Sequence, residues 1–183
     1  MSPLLRFDRV TLTRGGRLLF EDFDLALAPG ETVQVAGPNG SGKSSLLRLA
    51  AGLLRPESGR VDRSAVAFAD DFVALDRELP LARALQFWSP AVEQALEYAG
   101  LTGLAAVPVR LLSSGQLKRA TLARVAASAA PVWLLDEPLN ALDSEGAERL
   151  ARLVEKHRES GGGVLAASHQ PLSGDWRRID LGR

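Results

Sequence analysis

Residues 37–44 read GPNGSGKS and fit the pattern G-x-x-x-x-G-K-[ST]. An apolar segment containing Val33, Val35 and Ala36 precedes them, and a helical pattern over Ser45–Leu54 follows. Glycines at this spacing let the backbone curl so that successive N–H groups converge on phosphate oxygens, and the next helix adds its positive N-terminal end. Strand, loop and helix together predict a phosphate-binding loop, whereas a glycine-rich turn that matches by chance would leave this context unexplained.

The residue types in this loop indicate the ligand. Lys43 would bridge the β- and γ-phosphates of a nucleoside triphosphate, and the Ser44 hydroxyl would bind Mg²⁺. By itself the motif fits kinases, GTPases and transporter motors equally well. The residues predicted to contact the nucleotide are Gly37, Pro38, Asn39, Gly40, Ser41, Gly42, Lys43, Ser44 and Ser45.

Composition limits the class of protein around this loop. The chain has 183 residues, 46% hydrophobic and 24% charged, so we predict a single domain over residues 1–183 with a substantial core. Its 22 basic residues balance its 22 acidic ones, which argues against nucleic-acid binding through bulk charge. The absence of cysteine from the sequence excludes disulfides, thiolate metal sites and cysteine nucleophiles.

Membrane and targeting signals are not expected. The most apolar stretch, Leu122–Leu135, contains Arg124 and Pro131 and is shorter than the about 20 apolar residues that a spanning helix needs. Arg6 and Asp8 occupy positions where a secretory signal would need an apolar run. We therefore expect a soluble cytoplasmic protein.

Strand and helix patterns alternate along the chain and predict an α/β fold. Leu5–Leu12 and Phe20–Leu27 flank Arg14-Gly15-Gly16-Arg17 and predict an antiparallel hairpin. After the hairpin, strands alternate with helices, which favours a mainly parallel sheet covered by helices. The other predicted strands are 33–36, 59–61, 65–69, 132–135, 164–167 and 179–181. The later predicted helices are 79–99, which Ser89-Pro90 breaks into two pieces, 116–129 and 144–160. A loop is predicted over 100–109.

Two acids end the apolar strand over residues 132–135. Ligands of parallel sheets lie at the carboxyl ends of strands, so we expect Asp136 near the phosphates. The two-residue period of a strand turns Asp136 and Glu137 to different sides. One carboxylate can then hold Mg²⁺ while the other orients and deprotonates water. A plain Asp-Glu-Pro turn is the alternative for this segment taken alone.

The segment Leu112-Ser113-Ser114-Gly115-Gln116 begins another predicted helix. Serine is a common N-cap, so an ordinary helix cap is one interpretation. A hydroxyl-rich helix start is also an anion site, so a second phosphate contact is the other.

Taken together, five motifs resemble those of the ATP-binding cassette (ABC) ATPases. They are GPNGSGKSS (37–45), LSSGQ (112–116), WLLDEP (133–138), NALD (140–143) and Ser168-His169, and they cover nearly the whole chain in the family's order. The resemblance implies an α/β P-loop NTPase fold of the ABC type. That fold has a mainly parallel core sheet, an N-terminal antiparallel part and a short helical arm at roughly 70–130.

The resemblance also implies roles for particular residues. In such ATPases two cassettes pair head to tail, and the signature of one subunit (here Leu112, Ser113, Ser114, Gly115 and Gln116) faces ATP held by the other. Glu137 would activate water, His169 would touch the γ-phosphate, and Asp143 would link the two sites. Ser44 and Asp136 would hold Mg²⁺, so ATP and Mg²⁺ are the expected cofactors. His157, on a helix, is interpreted as an ordinary structural histidine.

The sequence departs from the family at two positions. An aromatic residue that stacks on adenine is replaced by Thr13-Arg14-Gly15-Gly16, so we expect the Arg14 guanidinium to lie on the base. The glutamine that senses Mg²⁺ and the membrane partner is replaced by Asp70-Asp71, either of which could reach the metal. Gln86 lies too far along the chain to substitute.

The function implied is the ATP-binding and ATP-hydrolysing subunit of an ABC transporter, which dimerises on ATP and drives a separate integral membrane subunit. The segments GGRLLFEDFDLALAPGE (15–31) and SHQPL (168–172) look most like the haem-exporter subunits of cytochrome c maturation. Two partners are expected: a second cassette, either a copy of this chain or a different one, and the integral membrane subunit. The protein is expected to lie at the cytoplasmic face of the inner membrane. No nucleic-acid partner is expected. The docking surface is expected within residues 70–110. Alternatives are another small importer or efflux ATPase, a soluble non-transport ABC ATPase, and a P-loop kinase.

Overall fold

A computed structural model of the chain describes residues 2–70, 72 and 74–181, and all elements below lie within them. The strands are β1 (Leu5–Arg14), β2 (Arg17–Leu27), β3 (Thr32–Ala36), β4 (Ser58–Arg63), β5 (Val66–Ala69), β6 (Val132–Asp136), β7 (Gly163–Ala167) and β8 (Arg177–Asp180). The helices are α1 (Lys43–Ala50), α2 (Leu81–Gln86), α3 (Val92–Ala99), α4 (Ser114–Ala127) and α5 (Ser144–Glu159), with short 3₁₀ turns at Thr102–Leu104 and Val109–Leu111.

The predicted N-terminal hairpin is confirmed. β1 and β2 pair antiparallel around Gly15 and Gly16, whose φ angles of 59° and 75° are both positive. A two-residue hairpin turn of this kind needs positive φ at both central positions, which glycine adopts without steric cost. β4 pairs antiparallel with the other edge of β1, so a three-stranded sheet forms in the order β2-β1-β4.

The core sheet runs parallel throughout its five described strands, in the order β5-β6-β7-β3-β8. Side chains of β6 alternate between its two faces: Val132 and Leu134 pack in the core shared with the antiparallel sheet and α1. Trp133 and Leu135 pack in the opposite core, against α4 and α5. Both faces are covered, which explains why β6 reads as a continuous apolar run.

The segment between β5 and β6 forms the predicted helical arm. It has its own core, in which Leu81 and Leu85 of α2 meet Leu96 of α3 and Ala120 of α4. α4 also contributes Leu122 to the core under the parallel sheet. This helix therefore joins the arm to the sheet.

Several predicted element ends are wrong by a few residues. α1 begins at Lys43 and ends at Ala50, short of the predicted Leu54, because Gly52 with φ 74° starts a turn. The helical segment over 79–99 is two helices, α2 and α3, as the predicted break at Ser89-Pro90 requires, but α2 begins two residues after the predicted start. α4 begins at Ser114, two residues before the predicted start, because Ser113 caps it. Part of the predicted loop over 100–109 is 3₁₀ structure.

No helix in the described parts of the chain has both the length and the apolar character needed to cross a bilayer.

Candidate nucleotide-binding site

Four segments that carry predicted site residues leave the core sheet at one edge. Because its strands are parallel, the carboxyl ends of β3, β5, β6 and β7 lie together. Gly37 follows β3, Asp70 follows β5, Glu137 follows β6 and Ser168 follows β7. The fold thus gathers motifs that lie up to about 130 residues apart in the chain.

Glycine conformation shapes the loop after β3. Gly37 and Gly42 have φ angles of 143° and 101°. A Cβ on Gly37 would lie 2.4 Å from the carbonyl oxygen of Leu181, and one on Gly42 would lie 3.3 Å from Leu19 Cβ. The loop is therefore closely packed against neighbouring segments, so larger residues at these positions would displace it.

Lys43 is held across this loop. Its Nζ donates hydrogen bonds to the carbonyl oxygens of Gly37 at 2.9 Å and Pro38 at 3.1 Å, and the residue is buried. A buried ammonium needs such partners. The lysine is thereby fixed at the open side of the loop, where incoming phosphate oxygens could replace the two carbonyls.

A cavity of about 500 Å³ opens over the loop, a size suited to a small organic ligand. It brings Glu137 together with the loop residues Lys43 and Ser44, whereas the strand-end position of the acids predicts Asp136 near the phosphates. Asp136, one residue earlier and buried at the end of β6, is not among the described residues that line it. The lining residues are Arg14, Arg17, Leu19, Asn39, Gly40, Gly42, Lys43, Ser44, Ser45 and Glu137.

Glu137 and His169, predicted from separate motifs, meet directly. Nδ1 of His169 lies 2.8 Å from Oε2 of Glu137, and the His169 backbone N–H donates to the same oxygen at 3.4 Å. The Glu137 backbone N–H donates to the carbonyl of Ala167 at 2.8 Å, which anchors it beside β7. Its φ of 43° turns the chain sharply away from the strand. The carboxylate is thus held in one orientation at the cavity.

Sequence reasoning missed two residues that support these segments. Lys118 of α4 is buried and donates from Nζ to the Asp136 carbonyl at 3.2 Å. Gln34, buried in the middle of β3, donates from Nε2 to the Gln170 carbonyl at 2.7 Å, beside the Ser168 hydroxyl that donates to the same oxygen. A glutamine inside the apolar run of β3 was the available signal, because a buried amide requires partners.

The start of α4 shows the helix cap that one interpretation of LSSGQ predicts, and the second phosphate contact stays a prediction. Ser113 Oγ accepts from the Gln116 N–H at 3.2 Å, and Gln116 Oε1 accepts from the Ser113 N–H at 2.9 Å. This reciprocal pair is a capping box, so the helix-cap interpretation is confirmed for these two residues. Ser114 is exposed at the first turn, which leaves its hydroxyl and the helix N-terminus accessible to a ligand.

The segment over residues 140–143 packs against this helix start. A Cβ on Gly115 would lie 2.8 Å from the Ala141 carbonyl oxygen, so only glycine fits there without displacing the backbone. Asp143 caps α5 by accepting from the Gly146 N–H at 2.8 Å. The predicted role of Asp143 between two sites stays a prediction.

At the two departures from the family pattern, charged side chains make specific contacts. Arg14 Nη1 donates to Ser45 Oγ at 3.2 Å. Asp70 accepts from the Phe72 N–H at 3.1 Å and interacts electrostatically with the guanidinium of Arg124, and Asp71 lies outside the described residues. Burial lowers the pKa of Arg124, and the charge of Asp70 opposes that shift.

His157 lies away from the cavity, as its structural interpretation predicts. Its ring stacks on Trp133 with centroids 3.9 Å apart and an interplanar angle of 9°. Burial lowers the pKa of His157, while hydrogen bonds to the backbone of Pro131 and Gly163 partly offset the shift.

The oxygen atoms available near the cavity suit Mg²⁺, which needs few protein ligands, better than a metal ion coordinated by side chains alone. Among the described residues no group of three or more His, Cys, Asp and Glu side chains could hold a metal ion. Mg²⁺ usually takes one or two protein oxygens and completes its shell with phosphates and waters. The Ser44 hydroxyl lies on the cavity, and Asp136, buried at the end of β6 beside it, would supply the second protein oxygen.

Strand, phosphate loop and helix, with a carboxylate from a neighbouring strand end on the same cavity, define a nucleoside triphosphatase of the P-loop class. The ABC transporter family matches residues 20–140, and the chain belongs to this family. The cytochrome c biogenesis ATP-binding export protein CcmA of Sphingopyxis alaskensis is 51% identical to it over 181 residues, which cover 94% of this chain and 93% of the relative. The protein of the same name from Novosphingobium aromaticivorans is 53% identical over 167 residues, 90% of this chain and 87% of the relative.

Solved structures agree with the fold. A dimeric ATP-binding cassette in a post-hydrolysis state, bound to ADP and Pi, superimposes with a TM-score of 0.80 at 25% identity. The match covers 91% of this chain and 88% of that one. The expected α/β cassette fold is confirmed.

Proposed function

We propose that this protein is the ATP-binding and ATP-hydrolysing subunit of an ABC transporter that exports haem for cytochrome c biogenesis. It works at the cytoplasmic face of the inner membrane, where it pairs with a second cassette and drives a separate membrane subunit. The observation that carries the ATPase assignment is the single cavity shared by Lys43, Ser44 and Glu137. The names of relatives about 50% identical over nearly the whole chain support the biological process.

The chemistry follows from the contacts of these residues. Lys43 exchanges its two carbonyl partners for phosphate oxygens, and the N–H groups of the loop and of α1 supply further donors. Glu137 accepts a proton from the attacking water. His169 holds the Glu137 carboxylate in place and so helps to orient that water. When bound at Ser44 and Asp136, Mg²⁺ would neutralise charge on the phosphates.

The second half of the catalytic site comes from the other cassette of the dimer. Ser114 and Gly115 stand exposed or half-exposed at the start of α4, and the serine cap at Ser113 leaves the later N–H groups free to face an anion. Across a head-to-tail dimer this helix start meets the γ-phosphate, so hydrolysis requires pairing.

An exposed aromatic patch on the arm supports docking of a membrane subunit. Phe72 and Phe87 are 74% and 83% exposed, and Trp88 is 39% exposed with its ring 5.3 Å from that of Phe87. Phe87 and Trp88 are in contact, and contiguous exposed apolar groups mark interaction surfaces. Arg124 joins the patch to the core sheet, because it lies 4.7 Å from the centre of the Trp88 ring and donates to the carbonyl of Phe68 in β5.

Co-purification from membranes tests the transporter assignment. Tagged protein should recover one integral membrane partner, and Phe87→Ser should reduce that recovery by about tenfold or more because it removes a central apolar contact. Leu53→Ser is the matched control, since Leu53 is 64% exposed but lies outside the arm. Recovery of ribosomes with no integral membrane protein would instead favour a soluble ABC ATPase.

A further inference from the structure

Gln170, the residue after His169, completes a chain of hydrogen bonds that begins at Glu137. Its side-chain Nε2 lies 3.3 Å from Nε2 of the His169 ring, and Nδ1 of the same ring lies 2.8 Å from Oε2 of Glu137. The imidazole is therefore held at both nitrogens, by a carboxylate on one side and an amide on the other. Resting on the proposed function, we propose that Gln170 is a positioning residue, which fixes His169 in the tautomer that serves Glu137.

The chemistry of the two contacts determines where the ring proton lies. An ionised carboxylate only accepts hydrogen bonds, so Nδ1 of His169 carries the proton that is donated to Glu137. The NH₂ group of an amide only donates, so Nε2 of His169 accepts from Gln170 and carries no proton. One species satisfies both contacts, namely the neutral ring with its proton on Nδ1.

Two buried side chains anchor the backbone of Gln170. Its carbonyl accepts from Gln34 Nε2 at 2.7 Å and from Ser168 Oγ at 2.9 Å. Its N–H donates to Ser168 Oγ at 3.1 Å. Gln34 and Ser168 are 4% and 1% exposed, so these anchors are shielded from water. The side chain of Gln170 thus extends from a fixed point beside the ring, which lowers the entropy that it loses on holding the imidazole.

The tautomer matters because of the carboxylate on which the proposed hydrolysis depends. Nδ1 and the backbone N–H of His169 both donate to Oε2 of Glu137. This arrangement leaves Oε1 to the attacking water. With the ring proton on Nε2 instead, a nitrogen lone pair would face Oε2 and repel it. When a catalytic histidine is held in the wrong tautomer, turnover can fall by orders of magnitude.

The contacts of Gln170 argue against a purely structural role for its side chain. The residue is exposed, and the one hydrogen bond that its amide makes to the described residues goes to the His169 ring. Substitution therefore removes little buried surface and should leave the fold intact.

The ring nitrogens of His169 report the tautomer directly, because protonated and unprotonated nitrogens give well separated ¹⁵N NMR signals. The chain has two histidines, so His157→Phe assigns the signals. In the unaltered protein without nucleotide, Nδ1 should be protonated and Nε2 unprotonated. Gln170→Met keeps the length of the side chain but removes the donor, so it should mix the two tautomers. Gln170→Glu offers only acceptors and should draw a proton onto Nε2.

ATP hydrolysis by the same variants tests the consequence for the reaction. Gln170→Met should lower kcat for MgATP by about tenfold or more and leave KM within about twofold, because it disturbs the catalytic geometry but no phosphate contact. Gln94→Met is the matched control, since the exposed Gln94 amide donates a hydrogen bond of the same length, 3.3 Å, to Tyr98 Oη in the arm. It should change neither constant. The His157 signals, which depend on its stacking against Trp133, show that each variant is folded.

Three outcomes would overturn the inference: a proton on Nε2 of His169 in the unaltered protein, ring signals that neither substitution of Gln170 changes, and a normal kcat in Gln170→Met. Failure of the proposed function has a different signature. Lys43→Ala should abolish binding of MgATP, and normal binding by that variant would refute the phosphate site. The ring signals recorded without nucleotide do not depend on that result.

Discussion

Glu137 is the residue on which the proposed hydrolysis mechanism depends most directly. Its carboxylate lines the phosphate cavity and lies 2.8 Å from the His169 ring. Glu137→Gln keeps the size of the side chain but removes the proton acceptor, so hydrolysis should fall by about 10²–10⁴-fold while nucleotide binding persists. Phosphate release and nucleotide affinity, measured on the same preparation, check both parts.

Glu93→Gln supplies the control for that change, because Glu93 lies in the first turn of α3, in the arm. It should hydrolyse ATP at the normal rate. Unchanged turnover in Glu137→Gln would remove Glu137 as the base and direct attention to another group at the strand end.

His157 gives a pH-dependent stability that has nothing to do with catalysis. Burial on Trp133 lowers its pKa below the ordinary 6.5. The unfolded chain then takes up this proton more readily than the folded chain, so this contribution to the free energy of unfolding is constant above about pH 7 and falls as the pH drops through 6.5 toward the folded pKa. The slope is at most about 1.4 kcal/mol per pH unit.

His157→Phe tests this effect, because phenylalanine keeps a flat ring against Trp133 and cannot titrate. Urea unfolding from about pH 8 to about pH 5.5 should give a flatter dependence than in the unaltered protein, whatever the absolute stability. An identical slope in both proteins would assign the pH dependence to other groups.

The start of α4 allows stability and catalysis to be separated within one element. Ser113→Ala removes the cap and should lower the free energy of unfolding by about 1 kcal/mol. Ser114→Ala, one residue later and exposed, should leave stability within about 0.5 kcal/mol and reduce ATP hydrolysis instead. Urea unfolding and phosphate release on both variants check this; equal stability losses would contradict it.

At the level of elements, the sequence predicted the strands and the site loops well and the helix ends less well. Apolar runs such as β6 and β7, bounded by glycine or acidic residues, are unambiguous because burial on both faces demands them. The start of α4 at Ser114 depends on a reciprocal cap whose geometry appears only when the chain is folded. The end of α1 depends on the turn at Gly52, which a helical apolar pattern alone does not reveal.

Contacts between distant elements could not be predicted from spacing. The sequence placed Glu137 and His169 in the site separately, but their direct pairing follows from β6 and β7 being neighbours in the sheet. Likewise, Lys118 reaches the Asp136 carbonyl only because α4 packs under the parallel sheet. Supporting residues of this kind carry no local motif.

At the scale of the whole molecule, the two halves of the proposed active site belong to separate elements of one chain. The phosphate loop leaves β3 in the core sheet, whereas Ser114 begins α4 beside the arm. Gly115 packs on Ala141 in the segment that leads from Glu137 to α5. The helix start therefore packs directly on the segment that follows Glu137, the proposed base.

Two copies of the chain should pair when the site holds ATP. With MgATP, Glu137→Gln should sediment at twice the monomer mass, because hydrolysis no longer releases the dimer, and with ADP it should return to the monomer. Adding Ser114→Glu places a carboxylate where the partner's γ-phosphate would lie, so the double variant should bind ATP as a monomer. Ser58→Glu, exposed on the edge strand β4, serves as the matched control and should still dimerise. A dimer that survives Ser114→Glu would show that α4 does not face the nucleotide of the second copy.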